Sequence, residues 1–143
     1  MATFNRYDIF SENLTKGVHT AGFNAASNVI KVMLSNTAPN VATHVVRADV
    51  TEIAGGSGYT TGGTDTQNDI SRTGQVTSIT GVDVTWTAAG GTIGPFRYAI
   101  IYDDTPTSPA DPLIGYWDYG SSVTLQIGES FVVDFGTSMF TVG

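Results

Sequence analysis

Alternating hydrophobic and polar residues predict short β-strands along most of the chain. Val82, Val84 and Trp86 alternate with polar neighbours, which is the pattern of a strand with one buried face. Residues 29–34 are apolar at nearly every position, which is typical of a strand covered on both faces. Further strands are predicted at residues 75–79, 96–102, 113–119, 123–127, 131–135 and 139–142.

Helical periodicity is limited to two short segments. Apolar residues recur at helical spacing in residues 7–14 and in residues 43–53. Thr43 is a suitable N-cap for the second segment, and Gly55 and Gly56 are able to end it. About eight short strands with one or two short helices predict an all-β fold, an antiparallel β-sandwich.

The composition agrees with this fold. The chain contains 21 Thr, 17 Gly and 11 Ser, residues that favour pleated strands and tight turns over helices. Its 143 residues fit a single domain over residues 1–143, in which residues 96–102 and 113–119 are expected to pair as a hairpin. The absence of cysteine excludes disulfides, thiolate catalysis, iron–sulfur clusters and cysteine zinc sites.

The charge balance bears on the partners of the protein. Thirteen acidic and six basic side chains give a net charge of −7, and only 13% of the residues are charged. Because phosphate contacts depend on Lys and Arg, we expect no nucleic-acid partner, and an anionic membrane is disfavoured for the same reason. No apolar stretch approaches the length of a membrane span, and residues 1–16 lack the apolar core of a signal peptide. We therefore expect synthesis in the cytoplasm and no membrane partner.

Signals for catalysis are weak. Residues 55–63 form a Gly-rich loop, but it lacks the Lys that a phosphate-binding loop requires, so a structural loop is the better interpretation. His19 and His44 have no zinc spacing, and no Gly-x-Ser-x-Gly motif accompanies them. We therefore expect no enzyme activity, no catalytic residue, no cofactor and no metal ligand.

One acidic loop leaves an alternative open. Asp103, Asp104 and Asp111 flank residues 105–112, and carboxylates in such a loop are able to bind calcium or to act as an acid–base pair. Asp residues beside Thr and Pro are also ordinary turn formers. The turn is the simpler interpretation.

Aromatic residues provide a second alternative. Trp86, Tyr116, Trp117 and Tyr119 would form a carbohydrate-binding platform if their rings were exposed. Alternation along residues 113–119 places at least one face of that strand in the core. A sugar-binding module is thus an alternative that depends on exposure.

The stronger signal is the lack of charge on the late strands. Between Gly120 and Gly143 the only charged side chains are Glu129 and Asp134. Soluble sheet proteins protect their edges with charge or proline, because bare edges recruit other strands. We therefore expect some edges or faces to be covered by other subunits, although a monomer kept soluble by its hydroxyl groups is an alternative.

Contact residues are predicted in two places. Residues 1–16 form a candidate interaction segment in which Phe4, Tyr7 and Phe10 are the aromatic contacts. Tyr59 in the Gly-rich loop is the fourth candidate. These residues are expected to bind other subunits through apolar burial.

Several motifs taken together resemble a known family. The segments are residues 49–63 (DVTEIAGGSGYTTGG), 84–86 (VTW), 96–105 (FRYAIIYDDT) and 112–115 (PLIG), with GVH at 17–19 and SNTAP at 35–39. Their order and spacing resemble small virion proteins of tailed bacteriophages, of the head decoration or cement type. The likeness covers nearly the whole chain, although each motif alone is only a turn and a strand.

The resemblance implies a β-rich structural subunit with no enzyme chemistry. Since an acidic subunit is repelled by packaged DNA, we expect a capsid decoration protein on the outer head surface, made in the host cytoplasm. Its partners would be the major capsid protein or other virion proteins, and a homo-oligomer, in particular a trimer, is expected. The alternatives are a tail, head–tail adaptor or fibre-associated component, and a carbohydrate-binding module for host attachment.

Overall fold

The computed structural model describes residues 2–19, 22–24 and 28–143, and these residues form an all-β, sandwich-like fold. The elements in chain order are β1 (Phe4–Arg6), α1 (Asp8–Lys16), β2 (Ile30–Ser35), a 3-10 helix (Arg47–Asp49), β3 (Thr64–Asp65), β4 (Asp69–Thr73), β5 (Val76–Thr80), β6 (Val84–Thr87), β7 (Ile93–Asp103), β8 (Leu113–Leu125), β9 (Ser130–Val133) and β10 (Phe140–Val142).

A five-stranded antiparallel sheet forms the centre, in the order β1-β8-β7-β2-β3. Successive residues of β7 point to opposite faces, so Ile101 belongs to one apolar cluster and Ile100 to another. Both faces of the sheet are therefore covered. This confirms the prediction that residues 29–34 form a strand buried on both sides, and that residues 96–102 and 113–119 pair as a hairpin.

Two smaller sheets pack on one face of the central sheet. They have the orders β10-β5-β4 and β6-β9. Ile79, Trp86, Val133 and Phe140 face inward from these strands and join the same apolar cluster as Ile101. This packing of sheet on sheet confirms the predicted all-β sandwich.

The start of α1 and residues 41–50 cover the opposite face. Tyr7 and Val50 are buried there against β7, and Val41 packs beside them. The helix ends at Gly17, whose φ of 71° is the left-handed conformation common after the last turn of a helix. The prediction of a helix in residues 7–14 is confirmed.

The predicted helix at residues 43–53 is wrong. Only Arg47–Asp49 form a single 3-10 turn. The backbone of the segment pairs with neighbouring strands instead, since Ile53 N donates to Leu34 O at 3.1 Å and Leu113 N donates to Val45 O at 3.1 Å. Tertiary hydrogen bonds thus override a helical spacing of apolar residues.

The strand predictions differ from the structure in three details. Residues 113–119 and 123–127 were expected to be separate strands, but β8 runs through Gly120 as one strand to Leu125. Val82 lies outside β6 and is exposed. The strands β1, β3 and β4 were not predicted, because each is short and carries at most one aliphatic or aromatic residue.

Candidate functional site

The most unusual surface is a hairpin formed by β4 and β5, residues 69–80, which we call the exposed hairpin. All five residues of β4 are exposed, and β4 is the outer strand of its sheet. A two-residue turn joins the strands; Gly74 has φ 62° and Thr73 lies opposite Val76. Glycine in this conformation at the first turn position is typical of a type II′ hairpin, so the local sequence builds the projection.

One row of side chains shows that β4 extends beyond the core. Ile70 lies opposite Ile79, and Ile79 lies opposite Phe140, so the three share one face of the sheet. Phe140 and Ile79 are 6% and 1% exposed, whereas Ile70 is 46% exposed. The apolar face of the sheet therefore continues past the part that the described residues bury.

The C-terminal strands add a surface with few charged groups. Ile127 and Val132 are exposed, and the outer side of the β6–β9 pair carries a hydroxyl contact of 2.6 Å between Thr87 and Ser130. Of the two carboxylates in this region, Glu129 accepts a hydrogen bond from Gln126 N at 2.7 Å and Asp134 from Gly136 N at 2.8 Å. Both acids are therefore engaged in local turns.

The predicted contact residues lie mostly inside the subunit. Tyr7, Phe10 and Tyr59 are buried, so their rings belong to the core of this fold and are not part of its surface. Phe4 is half-buried; its ring stacks on Phe140 at 5.6 Å and borders a cavity of about 350 Å³. Of the four residues, Phe4 alone reaches the surface of the described structure.

Tyr59 anchors the Gly-rich loop through hydrogen bonds. Its hydroxyl donates to Glu52 Oε1 at 2.7 Å and accepts from Leu34 N at 3.0 Å. Because β3 pairs only with Lys31 and Val32, the Tyr59 hydroxyl supplies the acceptor that β2 lacks beyond that point. Burial raises the pKa of Tyr59 above its ordinary value, which keeps the hydroxyl protonated.

Glu52 connects this loop to the guanidinium group of Arg47. Its Oε1 also accepts from Gly62 N at 2.6 Å, and its Oε2 accepts from Arg47 Nη2 at 2.8 Å. The hydrogen bond to Glu52 raises the pKa of Arg47, and the guanidinium lies 5.5 Å from the centre of the Tyr102 ring. The sequence does not reveal this role of Glu52, because a single acid before a Gly-rich loop forms no recognisable pattern.

A cavity of about 310 Å³ opens beside Arg47 and is also lined by Glu52 and Asp111. Burial, and then the charge of Asp104, raise the pKa of Asp111. Asp111 lies 3.9 Å from Arg47, and Glu52 is bonded to Arg47 as well. Arg47 is therefore shared between two carboxylates, and these contacts fix the loop around it.

The three predicted aspartates serve different partners. Asp103 points inward to His19, Asp104 pairs with Lys31 at 2.9 Å, and Asp111 faces Arg47. Within residues 2–19, 22–24 and 28–143, no group of three or more potential metal-ligating side chains is placed to hold an ion. The described structure thus does not gather these carboxylates into one site.

His19 and Asp103 form a buried pair that the sequence does not reveal, since 84 positions separate them. His19 Nδ1 lies 2.6 Å from Asp103 Oδ2, and the rings of Phe10 and Phe23 pack on the imidazole at 5.4 Å and 5.1 Å. Because both side chains are buried, a substrate cannot reach the pair. The contact instead joins the segment after α1 to the end of β7. His44 lies apart on an exposed turn, where it accepts from Asn40 N.

The four candidate sugar-binding aromatics do not form an exposed platform. Trp86 and Trp117 are buried in the core, and Tyr116 and Tyr119 are half-buried. Tyr116 packs edge-on against Tyr98, and Tyr119 packs edge-on against Phe131. These rings stabilise the sandwich.

Among the residues that the structure describes, no helix has both the length and the apolar character needed to cross a membrane. Comparison with protein-family models, curated proteins and solved structures gives no match.

Proposed function

We propose that the protein is a structural subunit of a tailed-bacteriophage virion, a capsid decoration protein on the outer head surface that acts through protein–protein interfaces. Its partners in this proposal are the major capsid protein, other virion proteins and further copies of itself. The motifs at residues 49–63 and 96–105 support the family, and the net charge of −7 favours a position away from packaged DNA.

The observation that carries the proposal is the exposed hairpin. Residues 70–73 of this strand are exposed, and among the described residues β4 pairs only with β5, which leaves the edge of the strand and part of the Ile70 side chain in water. Pairing or packing with a neighbouring subunit removes both costs. A structural subunit needs such a surface, and an isolated monomer gains nothing from it.

The exposure of Ile70 gives the binding free energy that we expect it to contribute. Burying an Ile side chain completely is worth about 1.5–3 kcal/mol, and Ile70 is still 46% exposed. Covering the remainder therefore contributes about 1 kcal/mol per contact, which corresponds to roughly fivefold in affinity. Introducing a charge at this position has a larger effect, because the charge must be desolvated at the interface.

The test compares Ile70→Lys with a control, Val45→Lys. Both replace an exposed aliphatic side chain by lysine, with 46% and 37% exposure, but Val45 lies outside both the exposed hairpin and the C-terminal strands. Surface substitutions of this kind change stability by about 0.5 kcal/mol or less, so both variants are expected to fold. Phages are grown with each variant as the only copy, and quantitative mass spectrometry measures its copy number per purified particle.

We expect Ile70→Lys to lower the copy number and Val45→Lys to retain it. Equal incorporation of the two variants would remove the exposed hairpin from the contact surface. Absence of the wild-type chain from purified particles would refute the virion role itself. Separate analysis of heads and tails distinguishes decoration of the head from a tail, adaptor or fibre position.

A further inference from the structure

The cavity beside Phe4 lies between the outermost strands of two sheets, and we call it the edge groove. Among the described residues, β1 pairs only with β8 and β10 pairs only with β5. Each strand therefore has one side without a sheet partner, and an extended chain is able to add to such a side. The edge groove has a volume of about 350 Å³ and is lined by Phe4, Arg6, Ser138, Met139, Phe140 and Thr141.

The open apolar surface of the edge groove belongs mainly to Phe4. This ring is half-buried and stacks on Phe140 at 5.6 Å, whereas Phe140 and Met139 are only 6% and 3% exposed. Arg6 and Thr141 are exposed. An aliphatic side chain that packs on Phe4 removes apolar surface of both partners from water, which is favourable.

The charge of the edge groove differs from that of the whole chain. Its lining includes one base, Arg6, and no acid, although the chain carries a net charge of −7. Arg6 has no ion pair among the described residues, and its guanidinium lies 5.9 Å from the centre of the Phe10 ring. A carboxylate from a partner is therefore the complementary group. Four of the six basic side chains already form ion pairs with carboxylates of this chain: Lys16, Lys31, Arg47 and Arg97.

The spacing along β1 defines the partner further. Phe4 and Arg6 are two positions apart on this strand, so their side chains point to the same face of the sheet. A matching partner strand carries an aliphatic and an acidic side chain with the same spacing. The guanidinium is able to bind a carboxylate through two parallel hydrogen bonds. A nucleic acid is a poorer fit, because its binding depends on several bases and the lining supplies only one.

We propose that the edge groove binds an extended acidic segment of a partner protein, which lies along β1 and β10. An aliphatic side chain of the segment packs on Phe4, and a carboxylate two positions away pairs with Arg6. In strand addition of this kind the main chain supplies affinity and the side chains supply specificity. The edge groove is separate from the exposed hairpin, and this inference does not require that the virion role be correct.

Binding is tested by nuclear magnetic resonance on the full chain labelled with nitrogen-15, using three short peptides that are acetylated and amidated at their ends. GTITDSG carries Ile and Asp two positions apart, GTITKSG replaces the acid by lysine, and GTATDSG shortens the aliphatic side chain. We expect GTITDSG to shift the Arg6 side-chain signal and the backbone amides of residues 138–141 in a saturable manner. GTITKSG should bind at least about tenfold more weakly, because Arg6 repels its charge, and GTATDSG about fivefold more weakly.

Charge reversal at Arg6 separates a binding residue from a structural one. Arg6→Glu should exchange the preference, so that GTITKSG binds more tightly than GTITDSG. Arg72→Glu is the matched control, because Arg72 is also exposed and without an ion pair among the described residues but lies on the exposed hairpin. It should keep the preference of the wild type for GTITDSG. Arg6→Gln, which should bind the two peptides equally, serves this comparison if Arg6→Glu does not fold.

Four results would overturn the assignment. The first is no saturable shift with GTITDSG, and the second is wild-type binding to either of the other peptides as tight as to GTITDSG. The third is the same change of preference in Arg6→Glu and Arg72→Glu. The fourth is a shift of residues 4–6 and 138–141 that grows with protein concentration in the absence of peptide, which would identify a second copy of the chain as the occupant.

Discussion

Replacing Tyr59 by phenylalanine removes one hydroxyl that joins the Gly-rich loop to the central sheet. The ring is 2% exposed and packs 5.6 Å from Trp86, so the substitution keeps the packing and removes only the polar atom. Two groups lose a partner: the backbone N–H of Leu34 in β2 and the carboxylate of Glu52.

The size of the effect follows from these two losses. A buried donor left without an acceptor costs about 1–3 kcal/mol, and a hydrogen bond to a charged group is worth about 1.5–3 kcal/mol. Glu52 keeps its bonds to Gly62 N and Arg47, so the second loss is at the lower end of its range. We expect Tyr59→Phe to lower the free energy of unfolding by about 2–4 kcal/mol.

Tyr7→Phe is the matched control. Tyr7 is also a buried tyrosine, but its hydroxyl has no hydrogen-bond partner among the described residues. Removing an unsatisfied polar atom is neutral or stabilising, so we expect a change of less than about 1 kcal/mol. Urea unfolding followed by tryptophan fluorescence measures the stability of both variants. An unchanged dependence of the unfolding free energy on urea concentration shows that each variant exposes the same surface area on unfolding. Equal losses in the two variants would refute the assigned role of the Tyr59 hydroxyl.

Two further substitutions test the loop and the surface charges. Gly63→Ala should lower the free energy of unfolding by about 2–5 kcal/mol, because φ is 79° and the new Cβ would lie 1.9 Å from Val32 O. The control Gly90→Ala has a similar φ of 77° but open space around the new Cβ, so it should cost about 1 kcal/mol. Similar losses for the two variants in urea unfolding would contradict the close approach at Gly63. The hydrogen bond from Arg97 lowers the pKa of Asp118 below its usual 3.8, so the ionised Asp118 stabilises the fold above that pH and this stabilisation is lost as the pH falls. Asp118→Asn should therefore be less stable than wild type at neutral pH and equal to it in strong acid. A constant difference in unfolding free energy between the two proteins at every pH would exclude this effect.

Part of the fold is predictable because its signal is local. Residues 29–34 carry apolar side chains on both faces, and this alone indicates a covered strand, as the structure confirms. The helix at 7–14 and the pairing of residues 96–102 with 113–119 are local in the same sense. Each depends on residues that are close in sequence.

The remaining features depend on contacts between distant residues. Residues 43–53 have a helical spacing, but apart from the 3-10 turn at Arg47–Asp49 their backbone bonds to β2 and β8. The strand β4 contains a single aliphatic residue, so its pairing with β5 leaves almost no periodic signal. Tyr59 was expected to contact another subunit, but its partners Leu34 and Glu52 lie within the chain. No spacing rule identifies such partners.

Imaging of the native phage particle by electron cryomicroscopy tests the central claim most directly. The account predicts density for this fold on the outside of the head, with residues 69–80 covered by a neighbouring protein. A particle that lacks this density, or that shows residues 69–80 of the bound subunit facing solvent, would contradict it.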